Sequence, residues 1–179
     1  MSMLLSALVV LWAAIAPVAA TPTWRRDSAD PRWVIGRVEL GAPADQVWAT
    51  LAKLDHWAEL FSDVRSVRVL EHQGARWRLQ VDTWQMKSCG PHEYRAELDG
   101  RTIRVDIVAT GLRAHVRMEV LEGTLPGRSV ATYALFIDPK GVVGALLPKK
   151  RLRNVQEGMV SAYLTDLGRR FMLSTGGSP

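Results

Sequence analysis

Ala42–Val64, APADQVWATLAKLDHWAELFSDV, decides the fold. It follows a short apolar strand, Trp33 to Leu40 (WVIGRVEL). Ala42-Pro43-Ala44-Asp45 reads as a turn into a helix start, and Val47, Trp48, Leu51 and Leu54 then recur at helical spacing. Asp55 reads as the cap of a second short helix carrying Trp57, Leu60 and Phe61, and Asp45 as the cap of the first. One strand, two small aromatic-rich helices and then a long run of strands suggest a sheet wrapped around an interior. The helices would plug one end.

Beyond Phe61 the hydrophobic period changes from helical to two. Val64 to Glu71 is strand-like, and Arg76 to Gln85 alternates as a half-buried antiparallel strand does, with Trp77, Leu79, Val81 and Thr83 on one face. Further strands read from His92 to Leu98, around Ile103, Val105 and Ile107, from Leu112 to Val120, and from Ser129 to Ile137. Asp99-Gly100 marks a hairpin turn between two of them. The apolar segment Gly141–Pro148 leads into a long helix whose stripe is Leu152, Val155, Met159, Tyr163, Leu167 and Phe171. The order predicts an α+β fold: a curved seven-stranded antiparallel sheet around one long C-terminal helix, with two short helices after the first strand.

Composition bounds the rest. Met3 to Ala16 is apolar and Pro17-Val18-Ala19-Ala20 offers small residues, so residues 1–20 read as a secretory signal cleaved near Ala20. The expected location is periplasmic or extracellular; an uncleaved membrane anchor is the alternative. No Lys or Arg precedes the apolar run. Residues 21–32 read as a flexible lead-in, 33–173 as one ligand-binding domain and 174–179 as a disordered tail. Cys89 is the only cysteine, so no internal disulfide forms and stability rests on the core. Lys and Arg number 23 against 18 Asp and Glu. Lys140, Lys149, Lys150, Arg151 and Arg153 account for that excess, so the basic character is a local patch and not the composition of a nucleic-acid-binding protein. No metal-ligand spacing and no nucleotide-binding glycine pattern is present. No cofactor is expected, and a monomer is.

The element order resembles the START-like superfamily with the helix-grip fold, which includes polyketide cyclase/dehydrase and lipid-transport proteins and coenzyme Q-binding proteins. The resemblance covers about residues 33–172. Its carriers are Val47-Trp48-x-x-Leu51, Asp55-His56-Trp57, Phe61, Asp138-Pro139-Lys140-Gly141 and the terminal helix. It implies a cavity between the concave sheet face and the long helix, used for sterols, phospholipids, quinones, hormones or polyketides. A minority of members do chemistry there.

The candidate cavity residues are Trp57, Phe61, Trp77, Leu79, Val81, Thr83, Tyr94, Val105, Met118, Met159 and Tyr163. Thr83, Gln85 and Tyr94 are the candidate polar contacts, and a filled core of the same residues stays open as an alternative. Leu146, Leu147, Lys149, Lys150, Arg151 and Arg153 form a candidate membrane-docking patch for transient contact with an anionic surface; a solvated basic helix start is the plainer reading. Gly141–Pro148 and the helix start are the expected gate. The expected function is binding of a hydrophobic small molecule, lipid or quinone-like, with transfer between membranes. A polyketide cyclase or dehydratase using the same cavity is the alternative, and would need an interior acid or base such as His92 or Tyr94. A collapsed interior serving protein interaction is the third reading. A Cys89–His92 nucleophile pair is the weakest catalytic candidate, because the cysteine sits in a turn.

Overall fold

The computed structural model describes residues 21–85, 91–109, 111–140 and 148–172. The segments 1–20 and 174–179, Cys89, and the greater part of Gly141–Pro148 including Leu146 and Leu147 lie outside the described residues. The chain runs β1 (Thr23–Arg26), β2 (Val34–Leu40), α1 (Ala44–Leu51), a 3-10 turn (Leu54–His56), α2 (Trp57–Leu60), β3 (Val64–Gln73) and β4 (Arg76–Thr83). It continues with β5 (His92–Asp99), β6 (Thr102–Ala109), β7 (Leu112–Glu122), β8 (Ser129–Pro139) and α3 (Lys149–Arg170). One curved antiparallel sheet has the order β1-β2-β8-β7-β6-β5-β4-β3.

The sheet has eight strands where the hydrophobic pattern predicts seven. The added strand, β1, lies inside residues 21–32, read above as a flexible lead-in. It pairs with β2 from Thr23↔Arg37 to Arg26↔Val34. Its sequence, TWRR, carries no apolar alternation, and three of its four residues are exposed. Backbone pairing to one neighbour holds it as an edge strand, which hydropathy does not register.

The alternation holds in β4 and β6, whereas β3 is exposed along most of its length, with Val69 and Leu70 facing solvent. In β4, Leu79, Val81 and Thr83 are buried while Arg76 and Arg78 are exposed. In β6, Ile103, Val105 and Ile107 are buried between Arg104 and Asp106. These inward positions, with Val116, Met118, Val120 and Leu135, join Trp57, Phe61, Tyr163, Leu164 and Leu167 in a single core. Gly100, with φ of 57°, closes the β5–β6 hairpin in the left-handed region that glycine adopts without strain.

The long helix packs on β2 and β8 through a close approach. A Cβ on Gly36 would stand 2.5 Å from Leu164 Cδ1 and 2.5 Å from Val160 Cγ1, so only glycine admits the helix at this depth. The buried Gln156 side chain donates to the Arg32 carbonyl at 3.1 Å and the Leu135 carbonyl at 3.4 Å. The Asp166 carboxylate accepts from the backbone N–H and the hydroxyl of Ser62, each at 2.8 Å. Trp57 Nε1 donates to the Leu51 carbonyl at 2.9 Å, which fixes α2 against α1.

Two expected caps are not made. Pro43 occupies the N-cap of α1 and makes no side-chain cap bond; Asp45 instead pairs with Arg101. Asp55 lies within the 3-10 turn, whose N-cap is Lys53, and α2 begins after His56. A turn that tight places Asp55 too late to reach the free N–H groups of the first turn.

Candidate functional site

The interior between sheet and α3 is ringed by aromatic and apolar side chains from six elements. Trp57 of α2, Tyr94 of β5, Val105 and Ile107 of β6, Val116 and Met118 of β7, Tyr133 of β8, and Met159 and Tyr163 of α3 surround a cavity of about 10 Å³. That is about one water-sized probe sphere, far below the roughly 300–1,000 Å³ of ligand sites. The ring of described residues therefore encloses no ligand-sized space in this conformation. The tyrosines fill it: the Tyr133 and Tyr163 rings stack with centroids 5.0 Å apart, and Phe61 packs on Tyr163 at 4.7 Å and edge-on to Trp57 at 5.6 Å.

Six of the eleven candidate cavity residues line this ring: Trp57, Tyr94, Val105, Met118, Met159 and Tyr163. Phe61, Leu79, Val81 and Thr83 are buried beside it without lining it. Trp77 shares the strand face with Leu79 but sits at its outer end. It is half-buried, stacks on His72 at 3.5 Å between centroids, and lines a surface groove with Glu71, Arg78 and Arg95. Gln85 is exposed, and only its backbone N–H turns inward, to Asp63 Oδ1 at 3.0 Å. Alternation cannot reveal either displacement, because it sets the face of a strand and not the position along it.

Polar atoms collect where β3 and β4 pair and β5 begins. Val64 is paired with Thr83, and Val81 with His92. Asp63, Thr83 and His92 are 9, 1 and 3% exposed, and Asp63 Oδ2, Thr83 Oγ1 and His92 Nε2 have no hydrogen-bond partner. Each such group left unpaired costs about 1–3 kcal/mol. Desolvation pushes the Asp63 carboxyl above its usual range, reinforced by the charge of Asp166, although the backbone N–H groups of Gln85 and Trp84 pull the other way. Desolvation pushes the His92 imidazole below its usual range, opposed by Asp82, so it is neutral at neutral pH. Burial raises the Tyr94, Tyr133 and Tyr163 phenols, and the Asp63 charge adds to each shift. All three stay protonated at neutral pH, and Asp63 lies within electrostatic reach of all three. Thr83 and His92 are candidates that the sequence offers, whereas Asp63 is not singled out by it. Its signal was its place between Phe61-Ser62 and Val64.

The start of α3 is loosely held. Lys149, Lys150, Arg151, Arg153 and Asn154 are exposed and only Leu152 is half-buried before Gln156. Lys149, Lys150, Arg151 and Arg153 have no ion pair among the described residues, whereas Lys140 pairs with Asp138. On the same side of the helix, Val155 is 45% exposed and the next turn brings Met159 to the cavity ring. A surface depression of about 440 Å³ lies elsewhere, against β1, β2 and the β7–β8 turn, with Trp24, Leu121, Leu125, Arg37 and Glu39 in its lining. It is open surface with charges of both signs, so the interior is the better candidate site. Among the described residues no cluster of metal ligands occurs and no helix is long and apolar enough to cross a membrane.

A curved antiparallel sheet closed by a long C-terminal helix, with an aromatic interior between them, defines a START-like, helix-grip protein. The chain belongs to the polyketide cyclase/dehydrase and lipid transport family, whose model matches residues 34–171. Among solved structures it is similar to a START superfamily protein from Mycobacterium smegmatis, at 12% identity and TM-score 0.63, covering 78% of this chain and 96% of that one. It is also similar to the Zhui aromatase/cyclase from Streptomyces sp. R1128, at 21% identity and TM-score 0.63, covering 77% and 92%. The di-domain aromatase/cyclase BexL of the BE-7585A biosynthetic pathway matches at 19% identity and TM-score 0.61, covering 80% of this chain and 52% of that one. Identities this low establish the fold. No curated protein matches the sequence.

Proposed function

We propose that this protein is an exported carrier that takes a hydrophobic small molecule, lipid or quinone-like, into the space between sheet and α3. The molecule would be exchanged at an anionic membrane surface. The carrying observation is the continuity of Leu152, Val155 and Met159. This apolar strip runs from the loosely packed helix start into the tyrosine ring, beside four cations that no acid among the described residues neutralises. A helix start with no acid in its first turn and a Pro148 N-cap without a side-chain bond is a poor place for four cations. Each opposes the macrodipole by about 0.3–1 kcal/mol. Anionic head groups would compensate, at about 1 kcal/mol per basic residue.

Entry requires the first turns of α3 to move, because the ring formed by the described residues holds no cargo-sized space. The helix is anchored from Gln156 onward, so its start can lift without unpacking Val160, Leu164 or Leu167. Export rests on the apolar run Met3–Ala16 and the small residues before Thr21. The test is transfer of a fluorescent long-chain probe from anionic donor vesicles to acceptor vesicles. Transfer that rises in proportion to protein supports the carrier; no transfer and no probe bound would sink it.

Inward placement of His92 beside Tyr94 favours a second reading, a cyclase or dehydratase like the aromatase/cyclases the fold resembles. Neutral His92 would serve as base and protonated Tyr94 as acid. Turnover of a poly-β-ketone substrate that His92→Gln abolishes would favour it over the carrier.

A further inference from the structure

Three buried polar atoms point to a head-group subsite that the carrier reading leaves unspecified. Asp63 is fixed by two bonds across the strand ends: its carbonyl accepts from Trp84 N–H at 2.9 Å, and its Oδ1 accepts from Gln85 N–H at 3.0 Å. Its second oxygen, Oδ2, is buried and unpaired. Thr83, paired with the neighbouring Val64, and His92, paired with Val81, carry the other two unpaired atoms on the concave face. Tyr94, two residues beyond His92 on that face, belongs to the cavity ring. The polar group therefore adjoins the apolar ring.

The donor and acceptor inventory narrows the ligand. An ionised carboxylate oxygen only accepts, so the ligand must donate to Asp63. The Thr83 hydroxyl can donate and accept, and a neutral imidazole presents one donor and one acceptor. An uncharged hydroxyl, which donates once and accepts, satisfies Asp63 together with Thr83 or His92. A carboxylate or phosphate does not. Asp63 and Asp166 are both acidic and close enough to interact, and Asp63 has no ion pair among the described residues.

We propose that Asp63, Thr83 and His92 form a subsite for the hydroxyl head group of an apolar alcohol or phenol, and that this subsite selects against anionic lipids. The proposal rests on the carrier reading for its apolar half and adds the head-group chemistry.

Three probes with one apolar body test it: 1-naphthol, 1-methoxynaphthalene and 1-naphthoate, titrated into the full chain at neutral pH with tryptophan fluorescence as the readout. Two hydrogen bonds to buried groups should make 1-naphthol bind about tenfold more tightly than its methyl ether, with 1-naphthoate weakest. In Asp63→Asn and in Thr83→Val the naphthol-to-ether ratio should fall toward one while the ether's own affinity stays within about twofold. Thr83→Val removes an unpaired polar atom and Asp63→Asn removes a buried charge, so each variant should melt no lower than the parent protein at neutral pH, which a second measurement checks. A ratio near one in the parent, as when water serves the three atoms with either probe, overturns the subsite and leaves the carrier reading standing. So does a ratio that survives both substitutions, or tightest binding of 1-naphthoate. If none of the three probes binds, the apolar interior itself fails as a ligand site and the subsite falls with it.

Discussion

At the scale of the residue, two buried ionisable groups pull stability in opposite directions with pH. Asp63 is raised by burial, so the folded state holds its proton more tightly than the unfolded chain. Its contribution is lost as pH rises from about 3.8 through the folded value. His92 is lowered, so its contribution is intact above the unfolded value of 6.5 and is lost as pH falls through 6.5 toward the folded value. Asp63→Asn should therefore raise the melting temperature at pH 7 and change it little at pH 3. His92→Gln should flatten the fall in melting temperature between pH 7 and pH 5. Melting curves across pH check both, and a reversed sign in either would contradict the burial described. Gly36 carries a different constraint. Gly36→Ala would drive a methyl into Leu164 and Val160, and overpacking of this kind costs about 1–3 kcal/mol. Urea unfolding measures it; an unchanged midpoint would mean that α3 sits less deeply on β2 than described. Trp77 teaches where reading by residue stops. Its face was legible from alternation, but its stacking on His72 at the strand's outer end was not. Trp77→Ala should therefore leave ligand affinity unchanged.

At the scale of the element, α3 shows both what hydropathy reveals and what it hides. The predicted stripe of Leu152, Val155, Met159, Tyr163, Leu167 and Phe171 marks the helix correctly. The face buried most deeply is rotated from it, toward Gln156, Val160, Tyr163, Leu164 and Leu167. A glutamine at a buried position is invisible to an apolar pattern, yet it satisfies itself on two backbone carbonyls. The rotation leaves Val155 half-exposed beside the cations, and this is the basis of the docking account. Replacing Lys149, Lys150, Arg151 and Arg153 with Gln should reduce cosedimentation with anionic liposomes, by as much as about 4 kcal/mol of binding if all four engage. The same substitutions should leave the melting temperature unchanged or raise it, since they remove cations from a helix start. Sedimentation equal to the parent protein would remove the membrane surface from the account. The strand β1 marks the opposite limit: an edge element held by backbone pairing and by the Arg26–Glu157 ion pair to α3 has no apolar signature in TWRR.

At the scale of the whole molecule, order and periodicity carried most of the information. A strand, two short aromatic helices, a run of alternating strands and a long helix leave few ways to bury their apolar faces, and the helix-grip arrangement is one. The family and its fold follow from that order. The interior's state does not. Whether Tyr94, Tyr133, Tyr163 and Met159 frame a space or fill it depends on ångström-scale packing that pattern cannot encode, and here they leave about 10 Å³. The carrier account resolves this by making the closed interior one of two states, with the loosely held start of α3 as the moving part. A protein whose open state is a minor population binds more weakly by that fraction, so cargo should be retained best when it fills the ring and meets the polar group together. The most direct test is native mass spectrometry of the protein purified from its own host, with identification of whatever is released on denaturation. The account predicts a bound apolar molecule of defined mass carrying a hydroxyl. A protein that arrives empty, and stays empty after incubation with liposomes, would contradict it.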